Sequence, residues 1–72
     1  MLHTKLGQTV AKQRKQLHLS QEAFAEKAGI HRTYVSQIER GLKSPTLYTL
    51  VQISTALQLS LNELVSEITS HE

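Results

Sequence analysis

A chain of 72 residues, 39% apolar, with three aromatic residues and no cysteine has room for one small core, since domains of this size bury only about 60–65% of their unfolded surface. The composition excludes disulfides, cysteine-based zinc sites and thiol catalysis, and it leaves little space for a substrate pocket of several hundred cubic ångströms. No apolar run exceeds three residues, so neither a signal peptide nor a transmembrane helix is expected, and a cytoplasmic location follows as an expectation. The net charge of +2 conceals a split: eight basic residues (Lys5, Lys12, Arg14, Lys15, Lys27, Arg32, Arg40 and Lys43) stand against three glutamates in the first 43 positions, a balance of +5, whereas residues 44–72 hold Glu63, Glu67 and Glu72 with no Lys or Arg, a balance of −3. Such a division suits a chain that meets a polyanion with one end. It also suits a solvated, lopsided helical surface.

The apolar pattern is helical throughout, and five elements are predicted. Leu2, Leu6, Val10 and Leu17, with small Ala11, repeat near the helical period over about residues 3–17. Ser20 is placed to cap a short second helix, with Leu19 and Phe24 as a hydrophobic staple. Position 23 is Ala23, so the reciprocal acid of a capping box is missing. Gly29 ends this helix, because glycine tolerates the left-handed conformation. A third helix runs from about Arg32 to Arg40 and ends at Gly41. The loop Leu42-Lys43-Ser44-Pro45 cannot continue it. Thr46 caps a fourth helix with Leu50, Ile53 and Leu57 on one stripe. Ser60-Leu61-Asn62-Glu63 is a full capping box stapled by Leu59 and Leu64, opening a fifth helix with Leu61, Leu64, Val65 and Ile68. Residues Thr69 to Glu72 are expected to fray. The reading is one all-α domain over residues 1–72, with its core at about 5–68.

On a helical wheel, Arg32, Thr33, Ser36, Gln37 and Arg40 share one arc of the third helix, while Tyr34, Val35 and Ile38 lie opposite. The polar arc holds no acid. Its side-chain types read base edges in a duplex groove: Arg can give two hydrogen bonds to guanine and Gln two to adenine, while Thr can touch a thymine methyl. The same arc would also serve as the soluble face of an ordinary amphipathic helix. The segment Ser20–Gly41 adds context, because two short helices joined through Gly29 form a helix-turn-helix. Ala25 is small where the two helices cross, and Ile30, Val35 and Ile38 anchor the second of them.

Over about residues 5–66 the chain resembles the XRE family of helix-turn-helix regulators, which includes phage repressor and Cro DNA-binding domains, and it is similar to the small controller proteins of restriction–modification systems. The resemblance is carried by Arg14, Ser20-Gln21, Ala28-Gly29-Ile30, Ile38-Glu39-Arg40-Gly41, Pro45-Thr46-Leu47, Leu50 and Ala56-Leu57. It implies a five-helix, phage-repressor-like domain and sequence-specific binding of double-stranded DNA through the major groove. It implies base reading by Arg32, Thr33, Ser36 and Gln37. It implies phosphate contacts from Gln21, which also braces the recognition helix, and from Arg40 and Lys43. Tyr34 matches a position at the sugar-phosphate flank, although a core-rim aromatic reads equally well there. Arg14 and Glu39 match a partly buried salt bridge between the first and third helices; two exposed charges are the alternative. His31 departs from the family, which commonly places Ser or Thr at that cap. Histidine caps weakly, so the start of the third helix is expected to lean on Tyr34 or on DNA phosphate.

The four histidines lack metal-ligand spacing, and nothing marks a nucleophile elbow, a phosphate-cradling glycine loop or a carboxylate pair. No enzyme activity, metal, cofactor or small-molecule ligand is expected, nor any membrane partner. The competing reading is a protein-interaction module or antitoxin. A long disordered tail or a second domain would favour it, and neither is evident. On the fourth helix Leu47, Tyr48 and Val51 lie off the core stripe, as an apolar surplus that suits a homodimer interface. A two-fold dimer would set two recognition helices about 34–36 Å apart on a near-palindromic operator. The alternative is that these side chains cap the core edge.

Overall fold

The computed structural model describes residues 2–69. Five helices follow in order, α1 (Leu2–Gln16), α2 (Gln21–Ala28), α3 (Arg32–Glu39), α4 (Leu47–Ala56) and α5 (Leu61–Thr69), and no strand occurs among the described residues. Thr69, expected to fray, is the last residue of α5. The remainder of that expected frayed tail, residues 70–72, lies outside the described residues.

Side-chain caps start four of the helices. Ser20 Oγ accepts from the Ala23 amide at 3.0 Å, and Thr46 Oγ1 accepts from the Thr49 amide at 3.2 Å. Ser60 and Glu63 form the full box: the Glu63 amide donates to Ser60 Oγ at 3.0 Å and the Ser60 amide to Glu63 Oε1 at 2.8 Å. At α3 the histidine itself does the capping. The Thr33 amide donates to His31 Nδ1 at 3.0 Å, so the helix needs neither Tyr34 nor a phosphate to begin. The imidazole nitrogen reaches an orphan amide of the first turn much as a serine oxygen would.

The helix ends share one reversal. After α2, Gly29 adopts φ 76°, and the Ile30 amide reaches back to the Ala25 carbonyl at 3.0 Å. Gly41 (φ 75°) ends α3 in the same way, with the Leu42 amide on the Gln37 carbonyl at 2.9 Å. The ends of α1 and α4 use the same geometry without glycine: His18 and Gln58 stand at φ 59° and 64°, with Leu19 and Leu59 closing onto Arg14 and Ser54.

The core collects Leu6 and Val10 of α1, Phe24, Ala25 and Ala28 of α2, Val35 and Ile38 of α3, Ile53, Ala56 and Leu57 at α4, and Leu64 of α5. Helix α3 packs on α1 and α2, α4 on α2, and α5 on α1 and α4. Leu2 and Val65 of the sequence stripes are exposed rather than packed into this core. Leu2 is 62% exposed, because α1 buries through Leu6, Gly7, Thr9, Val10 and Arg14. Val65 is 39% exposed beside fully buried Leu64, since α5 meets the core on a narrow stripe.

Gly7 sets the approach of α1 to α3. A Cβ at this position would collide with the Ile38 carbonyl oxygen and stand 2.7 Å from that of Glu39. Both are backbone atoms of the last turn of α3, so no rotamer change relieves the clash. The two helix backbones are therefore in direct contact.

Candidate nucleic-acid interface

Helix α3 divides as its wheel predicts. Val35 and Ile38 are buried, while Arg32, Thr33 and Arg40 are exposed and Ser36 and Gln37 half-buried. Tyr34 is half-buried and packs against the core, as a core-rim aromatic does. Lys43 is exposed in the loop that follows α3. Gln21, Glu22, Arg32, Thr33 and Ser36 line one open crevice, so the amino-terminal turns of α2 and α3 present their polar groups together. The crevice joins Gln21 to three of the four expected base readers. Gln37, Arg40 and Lys43 continue the polar surface toward and beyond the carboxyl end of α3.

Beneath this surface lies one ionic cluster. Arg14 grips Glu39 with both ends of its guanidinium, Nε to Oε2 at 2.7 Å and Nη2 to Oε1 at 3.0 Å, and the two side chains are only 10% and 7% exposed. The remaining Arg14 nitrogen, Nη1, donates to the Leu19 carbonyl at 2.8 Å. Gln21 Nε2 donates to Glu39 Oε1 at 2.9 Å. One carboxylate at the end of α3 thus ties down α1 and the first residue of α2, and its Arg14 partner holds the turn between them. A lone carboxylate at a helix carboxyl terminus would oppose the helix dipole, and the fork-shaped guanidinium offsets that charge with two parallel bonds. No buried side-chain nitrogen or oxygen among the described residues lacks a partner.

Gln21 therefore faces two ways. One of its amide hydrogens goes to Glu39, and the residue also lines the crevice with Arg32. The bond to Glu39 joins the first residue of α2 to the last residue of α3. Two residues that bear on this site, Glu22 on the surface and Gly7 beneath it, are absent from the site read in the sequence. Glu22, 3.4 Å from Arg32 through Oε1 and Nη1, becomes its neighbour only when the turn folds α3 back beside α2. Gly7 carries an available signal, a glycine inside a helical pattern, which often marks a close backbone approach.

On α4, Leu47, Tyr48 and Val51 are 68%, 74% and 43% exposed. They form an apolar face away from Ile53 and Leu57 rather than capping the core edge. Among the described residues, no three His, Cys, Asp or Glu side chains converge as a metal site, and no helix is long and apolar enough to cross a membrane.

Two short helices, a glycine turn and an acid-free outer face on the second helix define a helix-turn-helix protein. Residues 10–64 match the helix-turn-helix family model, and the chain belongs to this XRE-type family of DNA-binding transcriptional regulators. It is similar to the control protein C.MunI of Mycoplasma sp, at 42% identity over 65 residues, covering 89% of this chain and 88% of that protein. Among solved structures, the restriction–modification controller protein C.AhdI from Aeromonas hydrophila superposes with a TM-score of 0.82 at 35% identity, covering 86% of this chain and 94% of that one. The biofilm master regulator SinR, solved in complex with DNA, superposes with a TM-score of 0.78 at 36% identity over 83% of this chain and 97% of that one. The chain spans 39% of the length of two uncharacterised helix-turn-helix regulators of Mycobacterium tuberculosis that it also matches.

Proposed function

We propose that this chain is a sequence-specific transcriptional regulator that binds double-stranded DNA as a homodimer on a near-palindromic operator. The observation that carries the reading is the outer face of α3. Arg32, Thr33, Ser36 and Gln37 stand there without an acid among them, on a helix whose far end is clamped by Arg14 and Glu39. A helix held this way presents base-reading side chains without first having to order its own backbone, which lowers the cost of binding. Gln21, Tyr34, Arg40 and Lys43 flank that face and contact phosphate, fixing the register of the helix in the groove. The basic half of the chain supplies counterion release. Leu47, Tyr48 and Val51, in the half without Lys or Arg, pair with the same residues of a second copy.

The controller proteins and the DNA-bound SinR support this reading through their similarity to the chain. Regulation then follows from protein concentration and operator arrangement. The test is selection of duplexes from a random library, followed by salt titration of binding to the winner. The expected winner is a near-palindrome with half-sites about 10 base pairs apart. Lys43→Ala is expected to weaken binding to every duplex and to flatten the log–log salt slope by about one unit. A chain that enriches no sequence and ignores duplex DNA at low salt would instead be a protein-interaction module or antitoxin.

A further inference from the structure

We propose that, on the DNA-binding reading above, Glu22 is a specificity-determining residue: it keeps Arg32 for a base edge and denies it to phosphate. Glu22 and Arg32 both line the crevice that also holds Gln21, Thr33 and Ser36, and both line a second crevice on its other side, with Ala25, Glu26, Ile30 and His31. The Arg32 side chain therefore stands on the ridge between the two, with Glu22 Oε1 3.4 Å from its Nη1. Of the acids in the basic half of the chain, Glu39 is already neutralised by Arg14. Glu22 is the carboxylate that shares the crevice of the base readers.

In the free protein the pair is weak, because the two side chains are 64% and 74% exposed and water screens them. Docking onto a duplex expels that water and strengthens the attraction. Guanidinium has five N–H donors in a planar fork. Two can bond a guanine edge while another remains on Glu22, so a matched base satisfies both partners. On a mismatched site the guanine bonds are absent. Arg32 then either stays on Glu22, forgoing a phosphate contact, or leaves for phosphate and strands a carboxylate against the polyanion. Either course penalises non-specific binding selectively.

The experiment compares wild type, Glu22→Gln, Glu26→Gln, Arg32→Ala and the Glu22→Gln/Arg32→Ala double variant. The probes are a duplex selected from a random library by the wild type and a mixed-sequence duplex, read by fluorescence anisotropy across a salt series. All three positions are exposed, so folding is retained and is checked by circular dichroism. Glu22→Gln is expected to tighten mixed-duplex binding about fivefold or more, steepen its salt slope by about one unit, and lower the selected-to-mixed affinity ratio about tenfold. With Arg32→Ala present, its effect on the mixed duplex is expected to fall below about twofold. Glu26→Gln removes an equal charge one turn away and is expected to leave the ratio unchanged. Equal changes on both duplexes for Glu22→Gln, or an undiminished effect without Arg32, would overturn the proposal while leaving the DNA-binding reading intact. A wild type that discriminates between no duplexes would overturn both.

Discussion

Glu39 shows how much one side chain can decide in a domain this small. Its carboxylate receives three hydrogen bonds, two from Arg14 and one from Gln21, and it lies where α3 would otherwise be free to pivot. A buried ion pair of this kind fixes orientation more than it adds net stability, because desolvating both charges offsets most of their attraction. Breaking it is different: the surviving partner is left charged and unpaired. Arg14→Met and Glu39→Leu are each expected to cost about 3–5 kcal/mol in urea denaturation, and the double variant to recover most of that loss. Additive losses would mean that the charges act independently. The residue types and positions of this pair follow from the sequence through its family resemblance. The third partner follows only in part: the resemblance gives Gln21 as a brace of the recognition helix but not Glu39 as the group it bonds, because the turn that brings Gln21 within 2.9 Å of Glu39 is a tertiary event.

At the scale of elements, legibility tracks whether a helix boundary is written in one residue. Ser20, Thr46 and the Ser60–Glu63 box are local hydrogen-bond arrangements, and each starts its helix where the sequence places it. Gly29 and Gly41 end their helices for an equally local reason. The ends of α1 and α4 are less legible, because His18 and Gln58 adopt positive φ under the demands of packing by Leu19 and Leu59, and nothing in either side chain announces it. His31 is legible as a cap position but not as an effective cap, which depends on the ring turning Nδ1 toward Thr33. Gly7 illustrates the same boundary between local and tertiary information. An interior helical Gly→Ala change ordinarily stabilises by about 1 kcal/mol. Here the new methyl would meet backbone oxygens of α3, so Gly7→Ala is expected to destabilise by about 1–3 kcal/mol, measured by thermal melting with wild type alongside. A rise in melting temperature would show that α1 and α3 are not held in backbone contact.

At the scale of the whole molecule, two surfaces face different tasks. The basic first half carries α3 and its flanking polar groups, while the half from residue 44 onward carries the apolar face of Leu47, Tyr48 and Val51. One such module offers only a few base contacts, so pairing two of them is how the specificity of a regulator would be reached. Leu47→Glu places a charge in the proposed dimer seam, and it is expected to shift sedimentation toward monomer and weaken operator binding while leaving the folding stability of the protomer within about 0.5 kcal/mol of wild type, as for an exposed site. Unchanged self-association would move the interface elsewhere. The central claim, that the outer face of α3 reads bases, is tested most directly by Gln37→Ala, because this side chain lies on that face and carries no charge. Binding of wild type and variant is measured to the selected operator and to a mixed-sequence duplex at the same salt. A loss of about 1–3 kcal/mol on the operator, with little change on the mixed duplex, is the predicted result. Equal losses on the two duplexes would contradict it.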